Sequence, residues 1–239
     1  MKLTRWEYSK AKSNYHFDPF KNEDIDVPFK RVGSVQADLV SELHRLLMVE
    51  QPQENGFRNR LHVQLGRSDI PYTIEMDLEE LKILGLPEDH SFFYNLPIEK
   101  SELYKQIGES FGMKRWGASV HIQHPGQIFP YHIDEIPGLK NNDANHWLDG
   151  NPDAVARFEI QLLDWEPGHI WSYGNTYWKQ WRSGEIAFHE WRHIPHGTAN
   201  ISRKMRATLQ VTGYVTDATL KILQDGYPNE ALLCNPPKI

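Results

Sequence analysis

The stretch "EIAFHEWRHIPHGTANISRKMRATLQVTGY" (residues 185–214) has the residue pattern that is most informative about the fold class. Short apolar or aromatic runs are separated by Gly, Pro and Asn, and no helical periodicity runs through them. Its last part, "RATLQVTGY" (206–214), is a candidate β-strand, in which Arg206 and Thr208 face the same way because side chains alternate along a strand. The stretch therefore predicts strands joined by turns.

The same pattern of short apolar runs separated by turn residues extends back to about residue 115. The candidate strands cover residues 117–123, 131–134, 157–165, 169–173, 176–182, 185–190, 192–196 and 206–214. Short strands at this spacing predict a closed or double-sheet all-β domain. A polar, turn-rich segment at 135–156 interrupts them and is longer than most hairpin loops, so it is read either as a binding loop or lid or as a soluble tether.

The residues before the β-rich part have a mixed pattern. Helical spacing predicts helices over 34–50, with Ser34 as the N-cap, over 77–87 and over 99–112, and alternation predicts a strand over 60–66. We therefore divide the chain into three parts. They are a mixed α/β N-terminal region (1–114) that packs on the core, a β core (115–216) and a C-terminal extension (217–239).

Composition excludes several classes of protein. The 239 residues carry a net charge of −6 and no long Lys/Arg run, which argues against a nucleic-acid partner. The single cysteine, Cys234, cannot form an internal disulfide, and no apolar leader or membrane-length apolar run occurs. These features predict a protein of the reducing cytoplasm with no membrane partner.

Two His-x-Asp pairs raise the question of a metal site: His16 with Asp18, and His132 with Asp134. One such pair is expected by chance, so the context has to decide. Residues i and i+2 of a strand share a face, so His132 and Asp134 can offer an imidazole and a carboxylate to one point. The first pair precedes the β core and is followed by Pro19, and we interpret it as surface or packing residues.

A third ligand is expected from a late strand, where the candidates are His189, His193 and His196. His196 is followed ten residues later by Arg206 and then by Thr208. An Arg and a hydroxyl on one strand face make a suitable carboxylate clamp, and this interval favours His196. Two His and one carboxylate on one side of an octahedral metal suit Fe(II) and leave positions open for a chelating co-substrate and O₂.

Residues 117–214 resemble the Fe(II)/2-oxoglutarate-dependent dioxygenases. The resemblance lies in "HPGQIFPYHID" (124–134), in "WRSGEIAFHEWRHIPHGTANIS" (181–202), and in the Arg-x-Thr pair ten residues after the distal His. The second segment, with an Asn shortly after that His, is most similar to the aspartyl/asparaginyl and free-proline hydroxylase branches. In the first of these branches a His stands where this chain has Glu159.

The resemblance implies a double-stranded β-helix, or cupin-like jelly roll, with flanking helices. It implies His132, Asp134 and His196 as iron ligands, Arg206 with Thr208 on the far carboxylate of 2-oxoglutarate, and Arg157 as a further basic residue lining that site. Fe(II), 2-oxoglutarate and O₂ would be required, with ascorbate supportive. Since Asp134 keeps the carboxylate ligand, hydroxylation is favoured over halogenation, and desaturation stays open.

Three functions remain as alternatives. The first is a dioxygenase that hydroxylates an amino acid or another small molecule. The second is the same chemistry on a protein side chain, which needs an open groove instead of a closed pocket. The third is a non-catalytic, metal-containing jelly roll that binds a sugar or a partner, in which case 2-oxoglutarate should not bind.

Overall fold

The computed structural model describes residues 30–56, 85, 90–132, 155–173, 176–188 and 196–228. For five residues it describes the backbone alone: Lys30, Gly56, Tyr131, His132 and Thr176. Three helices lie in the described part: α1 (Leu39–Val49), α2 (Glu102–Ser110) and α3 (Asp217–Asp225).

The described strands follow one another along the chain, and most of them lie after residue 113. They are β1 (Lys30–Ser34), β2 (Gln53–Gly56), β3 (Ser91–Leu96), β4 (Lys114–Gln123), β5 (Ile128–His132), β6 (Val155–Gln161), β7 (His169–Tyr173), β8 (Thr176–Trp178), β9 (Glu185–Phe188), β10 (His196–Asn200) and β11 (Arg206–Tyr214).

The strands form two antiparallel sheets. The larger has the order β1-β9-β6-β11-β4-β3-β2, and the smaller has the order β5-β10-β7-β8. From β4 onward the chain passes from one sheet to the other at every step except the β7–β8 hairpin. Two sheets that share one alternating path form a jelly roll, so the predicted mainly-β, double-stranded β-helix core with flanking helices is confirmed.

The two faces of the larger sheet differ in polarity. One face packs against the helices and forms the main hydrophobic core. Its buried strand residues are Val120, Ile122, Phe158, Ile160, Ile186, Leu209 and Val211, and the helices contribute Leu39, Leu43, Leu46, Tyr104, Ile107 and Ile222. Burial of a Leu or Phe side chain contributes about 1.5–3 kcal/mol. Because side chains alternate, the residues between these apolar positions face the smaller sheet.

The two predicted helices that fall in the described part of the chain, over 34–50 and 99–112, are confirmed except at one end. The helix expected within 99–112 is α2, and Ser101 caps it by accepting a hydrogen bond from the Tyr104 N–H at 3.1 Å. The expected start of α1 at Ser34 is wrong. Ser34 is still paired with Glu185 in the sheet, so the helix begins only at Leu39, with Asp38 as its N-cap.

The strand predictions differ from the structure mainly at strand ends. β7 and β11 have the predicted bounds. β10 runs from His196 to Asn200 instead of ending at His196, because "HGTAN" pairs with both β5 and β7. The described N-terminal strands β1, β2 and β3 extend the larger sheet of the core. Their pairing is consistent with an N-terminal region that packs on the core, while the division at residue 114 stays a prediction.

Several predicted features fall outside the described residues. These are His16, Asp18, the strand over 60–66, the helix over 77–87 except Gly85, most of the 135–156 segment, and Cys234. In the described part of the chain, no helix is long and apolar enough to cross a membrane.

Candidate functional site

The face of the larger sheet opposite the helices is lined with polar side chains. Strand pairing arranges them in four rows across β6, β11 and β4, each about 7 Å from the next along the strands. In order, the Arg206 row holds Arg206 and Gln123; the Thr208 row holds Gln161, Thr208 and His121; the Glu159 row holds Glu159, Gln210 and Ser119; and the Arg157 row holds Arg157, Thr212 and Gly117.

Hydrogen bonds between β6 and β11 hold three of these rows together. They are Thr208 Oγ1–H to Gln161 Oε1 at 3.1 Å, Gln210 Nε2–H to Glu159 Oε1 at 2.8 Å, and Arg157 Nε–H to Thr212 Oγ1 at 3.0 Å. Each polar side chain of β6 therefore has a fixed neighbour on β11. The result is a wall of oriented polar groups, which is unusual for the inside of a domain.

Arg206 is the buried cation at one end of this wall, with a relative exposure of 5%. It donates from Nη1 to Gln123 Oε1 at 3.0 Å, and its guanidinium lies 5.2 Å from the Trp171 ring centroid and 5.6 Å from that of Trp181. Burial lowers the pKa of Arg206 to about 10, a shift that the charge of Glu159 opposes. The side chain therefore stays positively charged at neutral pH.

The Arg206 row lacks a carboxylate to match this cation. Within the described residues, Arg206 Nε and Gln161 Nε2 are buried donors with no hydrogen-bond partner. Leaving such donors unsatisfied costs about 1–3 kcal/mol each. A bound anion with carboxylate oxygens would satisfy the guanidinium and the neighbouring amide together, so these residues fit the far end of a dicarboxylate.

The smaller sheet brings the two proposed imidazole ligands to adjacent positions. His196 begins β10, where its Cα partners are His132 of β5 and Tyr173 of β7. The His196 side chain is 7% exposed. Directly paired residues of antiparallel strands have Cβ atoms about 4.5–5.5 Å apart, so the backbone of β5 and β10 is suited to a shared metal.

Contacts between the sheets show on which side of Arg206 this histidine pair lies. On β10, Asn200 Nδ2 donates to the Gln123 carbonyl at 2.8 Å, and Trp171, which contacts Arg206, is paired with Thr198. His196 is two residues further from Asn200 than Thr198 is. Asn200 and Thr198 therefore lie nearest the Arg206 end of the polar face, and His196 lies further along β10 from that end.

The predicted site residues thus fall into three groups. Arg206 and Thr208 are in adjacent rows, and His132 and His196 are register partners. Arg157 shares their face but lies three rows from Arg206. Asp134, His189 and His193 lie outside the described residues, as does the side chain of His132. In the described part of the chain no three His, Cys, Asp or Glu side chains are grouped as metal ligands.

Sequence reasoning missed Gln123, Gln161, Trp171 and Trp181. A signal for Gln161 was present, since Arg157, Glu159 and Gln161 are polar at every second position of β6. That pattern marks a polar strand face, which is buried in this protein. For the two Trp residues, aromatic side chains in a strand-rich region indicate packing equally well, and only their contact with Arg206 separates them from other core residues.

His169, at the start of β7, has a structural role. Its Nδ1 accepts the Glu166 N–H at 3.2 Å and its Nε2–H donates to the Lys204 carbonyl at 3.3 Å. Burial lowers the pKa of His169, so the ring is neutral in this arrangement. Both ring nitrogens are engaged with the backbone, so neither is available to a metal.

No protein-family model and no curated protein matches the chain. Solved structures do show likenesses. The non-heme α-ketoglutarate-dependent epimerase SnoN from nogalamycin biosynthesis is 10% identical over 77% of this chain and 75% of its own, with a TM-score of 0.49. The collagen prolyl hydroxylase of Paramecium bursaria Chlorella virus-1 is 12% identical over 80% and 98%, with a TM-score of 0.39. A Cupin 2 barrel protein from Salinispora arenicola is 7% identical over 46% and 72%, with a TM-score of 0.28.

Proposed function

We propose that this protein is a non-haem Fe(II)- and 2-oxoglutarate-dependent dioxygenase that hydroxylates an amino acid or another small molecule. The observation that carries the proposal is the buried Arg206, whose Nε has no partner in the described part of the chain. It lies one row from Thr208 and on the same interior as the His196–His132 register pair. A dicarboxylate would bind this cation with one carboxylate and reach the proposed metal with its other end.

Arg206 and its neighbours would bind and orient the co-substrate. The guanidinium would hold the far carboxylate of 2-oxoglutarate, and Thr208 Oγ1 and Gln161 Nε2 would lie alongside it in the next row. Trp171 and Trp181 cover the guanidinium and exclude water, which strengthens its attraction for an anion. Gln123 keeps the guanidinium in place through its Oε1.

His132, Asp134 and His196 are the residues that would hold Fe(II). This set of two imidazoles and one carboxylate is the donor type that suits Fe(II) and leaves positions open. Bound iron supplies the oxidising chemistry, in which O₂ and 2-oxoglutarate yield succinate and CO₂ while a substrate C–H becomes C–OH. The chain would hold the substrate C–H beside the iron and keep the substrate and the co-substrate aligned with it.

The test is succinate formation with Fe(II), ascorbate, O₂, 2-oxoglutarate and candidate substrates. H196A, H132A and R206M should each abolish it. The controls are H124A and R203M, at exposed positions close in sequence, and both should retain the wild-type rate. Succinate formation that survives in H132A and R206M would overturn the assignment of the site.

The same assay separates the alternatives. A protein side-chain hydroxylase should produce succinate only with peptides, and a non-catalytic jelly roll should not bind 2-oxoglutarate to the anaerobic, metal-loaded protein. The cytoplasmic location and the supportive effect of ascorbate remain predictions of the sequence.

A further inference from the structure

Three buried side chains at one end of the polar face differ in what they can offer a ligand. Arg206, Thr208 and Gln161 have relative exposures of 5%, 2% and 0%. Thr208 and Gln161 are register partners on β11 and β6, and Arg206 lies two residues before Thr208 on the same face of β11. Because buried polar groups need partners, the direction of each hydrogen bond in this group decides which atoms a ligand can contact.

The hydroxyl proton of Thr208 already has an acceptor within the sheet. Thr208 Oγ1–H donates to Gln161 Oε1 at 3.1 Å. A threonine hydroxyl has one proton to donate, and the lone pairs of its oxygen can only accept hydrogen bonds. A carboxylate also only accepts, so a carboxylate placed against Thr208 Oγ1 would bring two acceptors together. Thr208 is therefore not suited to bind a carboxylate directly while its bond to Gln161 is kept.

The same bond holds the oxygen of the Gln161 amide and leaves its NH₂ group for a ligand. Gln161 Nε2 and Arg206 Nε are both buried donors, and neither has a hydrogen-bond partner in the part of the chain that the structure describes. The other assigned bond of the guanidinium runs to the opposite neighbour of β11, since Arg206 Nη1 donates to Gln123 Oε1 of β4 at 3.0 Å. The amide from β6 and the guanidinium from β11 thus each present an N–H donor.

We infer that Gln161 is a specificity-determining residue that binds the far carboxylate of 2-oxoglutarate through Nε2, together with Arg206 Nε. Thr208 is a positioning residue, which orients the Gln161 amide and does not touch the carboxylate. The inference rests on the proposed function and divides the roles within the same site. It departs from the expectation drawn from the sequence, in which Arg206 and Thr208 form the clamp, because it makes β6 supply one of the two donors.

A charged donor next to a neutral one suits a ligand end that is anionic and accepts hydrogen bonds only. The guanidinium supplies the charge, and the amide adds a donor without adding a second positive charge. The two oxygens of a carboxylate can satisfy both donors at once. A keto acid that ends in a methyl group would leave both donors buried and unsatisfied, so the pair selects against it.

The experiment measures the affinity of the anaerobic Mn(II) protein for 2-oxoglutarate and for 2-oxopentanoate by calorimetry. 2-Oxopentanoate has the same keto-acid end, but its chain ends in a methyl group. Q161A should weaken 2-oxoglutarate binding by about fivefold to tenfold, the loss of one hydrogen bond, and should leave 2-oxopentanoate binding unchanged. Q161M keeps most of the side-chain volume and should behave in the same way. Q224A removes an exposed amide from α3 and should bind both ligands as wild type does.

A double-mutant cycle separates positioning from direct binding. T208V should weaken 2-oxoglutarate binding by about the same factor as Q161A, and T208S should retain the wild-type affinity because it keeps the hydroxyl. The variant that combines Q161A and T208V should bind as Q161A alone does. A threonine that held the carboxylate itself would instead make the double variant weaker than either single variant.

The inference would be overturned by an additional loss in the double variant, by wild-type affinity in T208V, or by equal losses of both ligands in Q161A and Q161M. Failure of the proposed function has a different signature, since the wild-type protein would then not bind 2-oxoglutarate. In that case calorimetry of glutarate against the metal-free protein tests the donor pair. Binding weakened by R206M and by Q161A supports the pair, and no binding contradicts it.

Discussion

At the scale of single residues, burial separates Arg206 from its sequence neighbour Arg203. Arg203, three residues earlier, is exposed, whereas Arg206 lies between two Trp rings and Gln123. A buried guanidinium without a carboxylate in contact costs stability, and this cost is offset when an anion binds. The same feature that destabilises the free protein would therefore provide the proposed affinity for a dicarboxylate.

The first prediction concerns this guanidinium. R206M should weaken 2-oxoglutarate binding by about a hundredfold or more, the effect of removing one partner of a buried charge pair. R206K should lie between, because an ammonium keeps the charge but not the two-pronged donor geometry. Calorimetry on the anaerobic Mn(II) protein measures the affinity. R203M is the matched control, and equal affinities in R203M and R206M would contradict the clamp.

Gln161 allows a finer prediction at the same scale. Its Oε1 accepts a hydrogen bond from Thr208, while its Nε2 has no partner among the described residues. The oxygen of the amide is therefore bound within the sheet, and its NH₂ group is available to a ligand. Q161E keeps the acceptor but replaces the donor with a negative oxygen. It should weaken 2-oxoglutarate binding by about tenfold or more through charge repulsion, whereas Q161A should lose less. A calorimetric titration in which Q161E binds as wild type would place the co-substrate elsewhere.

At the scale of elements, the turn before β9 is held by backbone hydrogen bonds to residues at the ends of β1 and β6. Gly184 has a φ of +91°, its N–H donates to the Gln161 carbonyl at 2.7 Å, and its carbonyl accepts from Val35 N–H at 2.8 Å. A Cβ at this position would lie 2.4 Å from the Val35 carbonyl oxygen. The glycine is therefore required by both conformation and space.

We expect G184A to lower the free energy of unfolding by about 3 kcal/mol, from left-handed strain together with a backbone collision. G126A is the control, since Gly126 has a φ of +90° but open space around its missing Cβ. It should cost only about 1 kcal/mol. Denaturant unfolding measures both variants. Equal losses would show that strain alone matters and that the contact with Val35 does not.

The connection that leads into β7 should give the fold a pH dependence. The pKa of His169 is lowered from 6.5 by burial, so the unfolded chain takes up a proton at a higher pH than the folded protein does. Stability is therefore complete above about pH 6.5 and falls as the pH decreases below it. Protonation also removes the Nδ1 acceptor that the Glu166 N–H uses.

H169Q should reduce the fall in the free energy of unfolding between pH 7 and pH 5, because the substituted side chain does not titrate. H44Q removes an exposed histidine from α1 and should leave the pH profile unchanged. Urea unfolding at several pH values measures both. An unchanged profile in H169Q would assign the acid sensitivity to other groups.

At the scale of the whole molecule, the proposed ligands join the two sheets. His196 and His132 belong to the smaller sheet, whereas Arg206 and Thr208 belong to the larger one. A metal with 2-oxoglutarate bound to it would connect both, in addition to the contacts of Trp171 and Asn200 with the larger sheet. Binding should therefore stabilise the fold as a unit.

Mn(II) and 2-oxoglutarate together should raise the Tm more than either does alone. A ligand at a hundredfold excess over its Kd stabilises by about 2.7 kcal/mol, which corresponds to an increase in Tm of about 5–10 °C for a chain of this size. R206M should keep the effect of the metal and lose that of 2-oxoglutarate, and H196A should lose both. Thermal scans in which R206M responds fully to 2-oxoglutarate would contradict a shared site.

Features that depend on short-range pattern could be predicted from the sequence. Alternation marks β11 and β7 with their observed ends, helical spacing marks α1 and α2, and the interval from His196 to Arg206 marks the candidate site. These features can be recognised in the sequence because the two-residue period of a strand and the capping of a helix involve residues that are close together in the chain. The start of α1 was missed because Ser34 is bound by a strand distant in sequence.

The tertiary structure alone decided which strands are neighbours. β11 lies between β6 and β4, so Arg206 meets Gln123, Thr208 meets Gln161, and Gln210 meets Glu159. Of the two Trp rings near Arg206, Trp171 belongs to the smaller sheet and Trp181 to the connection between β8 and β9. Such contacts join residues 25 to 83 positions apart (206 − 181 and 206 − 123) and depend on the path of the crossovers and on burial of the whole core, not on any local preference.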